Sequence, residues 1–165
     1  DTSQMTGVLK YQLPSLGAGD AVTAVTFNLN LTGTSGSPAD VNVVFFLPGD
    51  VPVVFDDIAT TNGAVTVGVV PATSSLGPVP IQTAALLAAI QNAYTNNGPT
   101  TLIGIRLQEP APISGVTQTG ESDFYGGYGV TDGPTLTLTT AAVPEPASLG
   151  LLGGVALLGL RRRRK

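Results

Sequence analysis

Hydrophobic and polar residues alternate with a period of two in four segments of the chain. The clearest is residues 24–32, where valine, phenylalanine and two leucines alternate with threonine and asparagine. The same pattern occurs in residues 9–13, 103–108 and 135–139. Because successive side chains of a strand point to opposite faces, each segment is predicted to be a strand with one face on a core and the other toward water.

Two further segments, residues 41–47 and 64–70, are more continuously apolar and rich in β-branched residues. This composition predicts strands that are covered on both faces. Turn-forming residues separate the strand segments, and Asn62-Gly63, just before a valine-rich run, is the best candidate for a hairpin turn.

One segment has helical periodicity. Leucine, isoleucine and tyrosine side chains fall on one face of a helix predicted over residues 84–96. Thr83 is a candidate N-cap, and Gly98 followed by proline ends the helix. Strands at this spacing with a single short helix predict an all-β fold, a β-sandwich or jelly roll, for a body of residues 1–142.

Composition excludes several kinds of site. The chain has no cysteine and no histidine, so it lacks thiolate nucleophiles, disulfides, the usual Cys/His zinc sites and the Ser-His-Asp triad. Residues 1–142 contain ten acidic residues, against Lys10 and Arg106 as the basic ones. Since an acidic body repels phosphate backbones, nucleic acid is not expected as a partner. The first residue, Asp1, fits either a processed mature form or a fragment.

The most specific pattern follows the last predicted strand. Two prolines flank Glu145, an uncharged apolar run covers residues 147–160, and five basic residues come next. The prolines disfavour both sheet pairing and helix, which predicts an extended, accessible segment. As a helix, the apolar run would span about 21 Å, less than the roughly 30 Å hydrocarbon core of a bilayer. The basic cluster matches the positive-inside rule, which favours a marginal transmembrane helix over a core helix and places the body outside the cytoplasmic membrane.

This order of pieces resembles the PEP-CTERM sorting signal of Gram-negative bacteria that make exopolysaccharide. The resemblance implies a second unit, residues 143–165, that is recognised and removed by an exosortase, a transpeptidase of the cytoplasmic membrane. The body would then be released or attached at the cell surface or in the extracellular matrix. The residues concerned are the processing motif Val143, Pro144, Glu145 and Pro146, and the basic cluster Arg161, Arg162, Arg163, Arg164 and Lys165.

The body resembles the jelly-roll domains grouped with carbohydrate-binding modules of the DNRLRE type. The resemblance is carried by the segments GVLKYQL, GAGDAVTAVTFNLNL, IQTAALLAAIQNAY and PTLTLTT, which occur here in that order. It implies a jelly-roll fold and a glycan as a candidate ligand.

Two groups of residues in the body are candidate sites. Asp50, Asp56 and Asp57 could supply oxygen ligands to a structural calcium ion, although their spacing matches no EF-hand loop, and a solvated acidic loop is the alternative. No other cofactor is predicted.

Tyr125 and Tyr128, with Glu121 and Asp123 nearby, offer the aromatic faces and carboxylates that sugar-binding loops use. The alternative is an ordinary glycine-rich loop.

Three functional hypotheses follow. The first is a non-enzymatic structural or adhesive protein of the cell surface or exopolysaccharide matrix, whose threonine- and asparagine-rich strand faces would suit self-association. The second is a carbohydrate-binding module. The third, a glycan hydrolase acting through Glu121 and Asp123, is disfavoured because no nucleophile, base and orienting group can be assembled from the available residues.

Overall fold

The computed structural model describes residues 6–49, 62–98, 101–109, 121–124 and 133–143. Eight strands and one helix lie in these ranges. They are β1 (Thr6–Gln12), β2 (Asp20–Ser35), β3 (Val41–Phe46), β4 (Val65–Val70), β5 (Gly77–Ile81), α1 (Ala84–Asn97), β6 (Leu102–Gln108), β7 (Glu121–Phe124) and β8 (Thr135–Ala142). The predicted all-β architecture with one short helix is confirmed. The apolar helix predicted for residues 147–160 lies outside the described residues.

The strands form two antiparallel sheets of four strands each. The first sheet has the order β1-β6-β3-β4. The second is built around the long strand β2, which pairs with β5, β7 and β8. Phe27 of β2 is in register with both Ile81 of β5 and Leu136 of β8, so these two strands lie on opposite sides of β2. Leu31 is likewise shared by β5 and β7, which places β7 on the same side as β8.

The core lies between the two sheets. It combines Phe27 and Leu29 of β2 with Ile103 and Ile105 of β6, all of which are fully buried. These are positions of the alternating pattern, so the inward faces of β2 and β6 are confirmed as predicted. Leu136 and Leu138 of β8 are partly buried against the same core, while Thr137 between them is exposed.

Helix α1 closes one side of the sandwich. Its side chains Leu86 and Ile90 are fully buried in the core. The hydroxyl oxygen of Thr83 accepts a hydrogen bond from the Leu86 N–H at 3.0 Å, so Thr83 is the N-cap, as predicted. Gly98 ends the helix with a positive φ of 88°, a conformation that glycine adopts without strain.

The two continuously apolar segments differ in the structure. On β3, Val44 and Phe46 are buried as well as the core-facing Val43 and Phe45, so the prediction of a strand covered on both faces is confirmed. On β4, Val65 and Val69 are each 43% exposed, so the same prediction is wrong there. The physical reason is position, because β4 is an edge strand of its sheet and only one of its faces packs on the core.

The alternating pattern of residues 103–108 also needs a correction. Gly104 and Arg106 were expected to face water, but both are buried. Gly104 is in register with Phe46, whose fully buried ring lies on this second face of the sheet. The guanidinium carbon of Arg106 is 5.8 Å from the centroid of the same ring, a distance suited to a cation–π contact.

Asn62-Gly63 does not form the two-residue hairpin turn that was expected. β3 and β4 are hydrogen-bonded neighbours, but residues 47–64 connect them. Asn62 is held beside the end of β3, because its carbonyl accepts from the Leu47 N–H at 2.9 Å and its side-chain amide donates to the Leu47 carbonyl at 3.3 Å. Asn62-Gly63 therefore leads into β4 and is not the two-residue turn of this hairpin.

Candidate functional site

The outer face of the second sheet is rich in threonine and asparagine. We call this surface the threonine face and define it by the outward residues of β2 and β8: Thr26, Asn28, Asn30, Thr32, Thr135 and Thr137. The strand register places Thr26 beside Thr137 and Asn28 beside Thr135. Each member is an uncharged side chain that can both donate and accept hydrogen bonds.

Side-chain hydrogen bonds connect the threonine face to its surroundings. The Asn28 amide donates to the Thr135 hydroxyl at 3.5 Å, and the Gln82 amide donates to the Thr26 hydroxyl at 2.8 Å. The Thr32 hydroxyl donates to the backbone carbonyl of Asp123 at 3.1 Å. These bonds leave further lone pairs and amide protons on the face for an external partner. An array of hydroxyl and amide groups suits contact with hydroxyl-rich or amide-rich surfaces.

Asp123 is the one predicted glycan-site residue whose side chain the structure describes. It lies on β7, opposite Gly33 of β2, and it is exposed. Because Gly33 has no side chain, it leaves room for the Asp123 carboxylate: a Cβ atom on Gly33 would lie 2.9 Å from the Asp123 Oδ2. Asp123 therefore places an acidic group beside Thr32, at one end of the threonine face.

The side chains of the other predicted glycan-site and calcium-site residues lie outside the described part of the chain. Glu121 is the first residue of β7, but only its backbone is described. Tyr125 and Tyr128, and the candidate calcium ligands Asp50, Asp56 and Asp57, lie outside the described residues. In the part of the chain that is described, no group of three or more acidic side chains could hold a metal ion.

A shallow cavity of about 280 Å³ lies between α1 and the adjoining ends of β3 and β4. Apolar side chains form most of its lining, and three asparagines of α1 contribute amides. The lining residues are Phe45, Leu47, Gly63, Val65, Ala89, Asn92, Ala93, Asn96 and Asn97. None of the residues predicted as sites from the sequence is among them.

The first residue of the processing motif is held by the sandwich. The Val143 N–H donates a hydrogen bond to the Gly19 carbonyl at 2.7 Å, directly after the last register pair of β8 and β2, Ala142 with Asp20. The Val143 side chain is 54% exposed. Pro144, Glu145, Pro146 and the basic cluster lie outside the described residues. The motif thus begins where the sheet ends.

Sequence reasoning missed two residues that hold the chain where Val143 leaves the sheet and where β2 begins. Gly19 has a positive φ of 78°, and its carbonyl receives Val143. Gln91 of α1 donates from its side chain to the Val22 carbonyl at 2.8 Å, where β2 is not paired with β5. The glycine-rich stretch before β2 gave a turn signal that could have indicated Gly19. No local signal could have indicated Gln91, because its partner lies far away in sequence.

No helix in the described ranges has the length and apolar character required to cross a membrane. The apolar run of residues 147–160, predicted as a marginal transmembrane helix, lies outside those ranges.

Comparison with protein families gives a match in the tail. Residues 142–165 match the PEP-CTERM protein-sorting motif. No curated protein matches the chain significantly. Nothing in these comparisons supports the resemblance of the body to DNRLRE-type modules, which stays a prediction. The matched motif starts at Ala142, one residue before Val143, whose N–H donates the hydrogen bond to the Gly19 carbonyl. The motif indicates a secreted protein that an exosortase sorts to the cell surface.

Proposed function

We propose that the protein is a non-enzymatic structural or adhesive component of the cell surface or of an exopolysaccharide matrix. The observation that carries this proposal is the threonine face, an uncharged surface of hydroxyl and amide groups on a protein that is sorted to the cell surface. Neutral polysaccharide, or the same face on another copy, offers complementary hydrogen-bonding groups at low desolvation cost. The absence of histidine and cysteine from the sequence supports a non-catalytic role.

The sorting step is part of the proposal. An exosortase would break a peptide bond at or near Pro144, Glu145 and Pro146 and pass the acyl group to an envelope amine, or to water if the body is released. The apolar run and basic cluster would hold the protein at the cytoplasmic membrane until then. A span shorter than the hydrocarbon core supports this role, because it makes the anchor weak enough to be temporary.

Replacing Pro144, Glu145 and Pro146 together with alanine tests the sorting step. We expect the full-length chain to accumulate in the membrane fraction and to disappear from the surface fraction. Pro71→Ala is the matched control, since Pro71 is an exposed proline outside the motif and its backbone carbonyl still accepts from Ser74. Unchanged surface delivery of the triple variant would contradict the sorting step.

Introducing one positive charge tests whether the threonine face is the contact surface. Thr137→Lys places an ammonium group in the middle of the face, and Thr66→Lys makes the same change at an exposed position of β4. If the face is the contact surface, Thr137→Lys should lower retention in the surface or matrix fraction about tenfold, because an unpaired charge buried in an interface costs more than about 1.4 kcal/mol. Equal retention of the two variants would remove the threonine face from the proposal.

The second candidate function is that of a carbohydrate-binding module. It is favoured by the exposed carboxylate of Asp123 beside Thr32, close in sequence to Tyr125 and Tyr128. Retention of the processed protein on a polysaccharide column, lost in Tyr125→Ala and Tyr128→Ala, would support this function over the structural one. Retention that is instead lost in Thr137→Lys would assign glycan contact to the threonine face.

A further inference from the structure

The end of β8 is built differently from the rest of the strand. A β-bulge lies between Val22 and Ala24 of β2, where the register with β8 shifts. On one side of the bulge, Leu136 and Leu138 pack on the core. On the other side lie residues 140–143, all of them exposed. We call residues 140–143, the last three residues of β8 together with Val143, the terminal segment.

The terminal segment is paired with β2 as far as Ala142, and Val143, the residue before Pro144, is bonded to Gly19 just before β2. Its last contact is the hydrogen bond from the Val143 N–H to the Gly19 carbonyl, at 2.7 Å. Four Cα steps separate Val143 from Ala147, the first residue of the apolar run, and they span at most about 14 Å. An enzyme that processes the motif at the membrane therefore has to work beside the sheet.

The pairing limits what such an enzyme can bind. Enzymes and domains that take a peptide in extended form use its backbone N–H and carbonyl groups. In the terminal segment, one set of these groups is already bonded to β2, and the sandwich covers that side. Residues upstream of Pro144 become fully available once they leave β2.

Detachment of the terminal segment from β2 would leave β2 and the rest of β8 in place. The residues of the segment are two alanines, a threonine and the exposed Val143, so none of its own side chains belongs to the core. β2 would stay in place, because Val22 is buried in the core and its carbonyl accepts from Gln91 of α1 at 2.8 Å. The bulge marks the boundary, since the next side chain of β8 that packs on the core is Leu138.

We propose that the tail is processed through a local opening in which the terminal segment leaves β2 and pivots between Thr139 and Thr140, opposite the bulge of β2, while the rest of β8 stays paired. This inference rests on the proposed sorting step. Cleavage that needs a local opening proceeds at a rate set by the population of the open form when opening is fast. The strength of pairing between the terminal segment and β2 would then control how long the protein stays at the membrane.

A disulfide across the terminal segment tests the proposal. Ala21 and Ala141 are register partners, and the chain has no cysteine of its own. In Ala21→Cys/Ala141→Cys, with the disulfide verified by intact mass, we expect tail removal in the native membrane to slow by at least about tenfold. The matched control is Ala24→Cys/Thr139→Cys, a register pair on the other side of the bulge, which should be processed at the wild-type rate.

An inserted linker separates this inference from the sorting step itself. Gly-Ser-Gly-Ser placed between Val143 and Pro144 should restore processing of the disulfide-locked protein, because it supplies unpaired residues upstream of the motif. Processing of the locked protein at the wild-type rate would overturn the inference and leave the sorting step standing. A locked protein that stays unprocessed with the linker would also overturn it, since the block would then come from the cysteines. If the wild-type protein and its linker variant both keep their tails, the sorting step fails.

Discussion

Gly104 leaves the space that the buried ring of Phe46 occupies. A Cβ atom at Gly104 would lie 2.2 Å from the ring carbon Cζ of Phe46, far inside van der Waals contact. The alternating pattern predicted that this face of β6 meets water, but it could not reveal that a phenylalanine of β3 lies across it. The pairing of β3 with β6 is a long-range contact, and the period of two describes only each strand alone.

Gly104→Ala is expected to destabilise the protein. The added methyl group has to displace the ring of Phe46, which is fully buried, and such overpacking costs about 1–3 kcal/mol in the free energy of unfolding. Urea unfolding measures the change. Gly49→Ala is the matched control, since a Cβ atom there meets nothing within 4 Å and should change the stability by less than about 1 kcal/mol. Equal effects of the two variants would contradict the described packing.

Tyr94 gives the protein a pH dependence in the alkaline range. Burial raises the pKa of the Tyr94 phenol above its ordinary value of 10.0, and its hydroxyl donates to the Pro14 carbonyl at 2.8 Å. The folded state therefore holds the phenol proton more tightly than the unfolded state. This contribution to stability is complete below pH 10.0 and is lost as the pH rises through the raised pKa.

Tyr94→Phe tests this contribution. The variant should be less stable than the wild type near neutral pH, because the hydrogen bond to Pro14 is gone, and the difference should shrink as the pH rises above about 10. Urea unfolding of both proteins from about pH 8 to about pH 11 measures it. A difference that stays constant over this range would show that Tyr94 does not titrate differently in the folded and unfolded states.

At the scale of single elements, local signals predicted some strands and missed others. The limits of α1 were predictable because Thr83 and Gly98 are local caps. The strand β5 was not predicted, since Pro78 and Pro80 interrupt its sequence and proline weakens a strand assignment. The structure places β5 at an edge of its sheet, where missing N–H groups are tolerated. β7, with four residues, is too short to show a period.

The prolines of β5 protect this edge of the second sheet from pairing with another chain. An edge strand exposes N–H and carbonyl groups that can pair with another chain, and proline removes the donors. We expect Pro78→Thr/Pro80→Thr to self-associate more strongly than the wild type, as measured by light scattering over a range of concentrations. Pro71→Thr, in the turn after β4, is the matched control. A double variant that stays as monodisperse as this control would show that the prolines do not protect the edge.

At the scale of the whole molecule, body and tail were predictable to different degrees. The tail was recognisable because its signal is the order of neighbouring residues, from Pro144 to the basic cluster, and the match to the sorting motif supports it. The threonine face was visible as outward positions on two strands, but its continuity depends on the pairing of β2 with β8. The contact of Val143 with Gly19 joins distant parts of the chain, and no local pattern predicts it.

The central claim is that the protein is sorted by loss of its tail while the body remains at the surface. Intact-mass analysis of the protein recovered from the surface fraction of its native cells tests this claim most directly. We expect a C-terminus at or near Pro144, Glu145 and Pro146, with the apolar run and the basic cluster absent from the recovered chain. A surface protein whose mass still includes every residue to Lys165 would contradict the claim and leave a plain membrane anchor in its place.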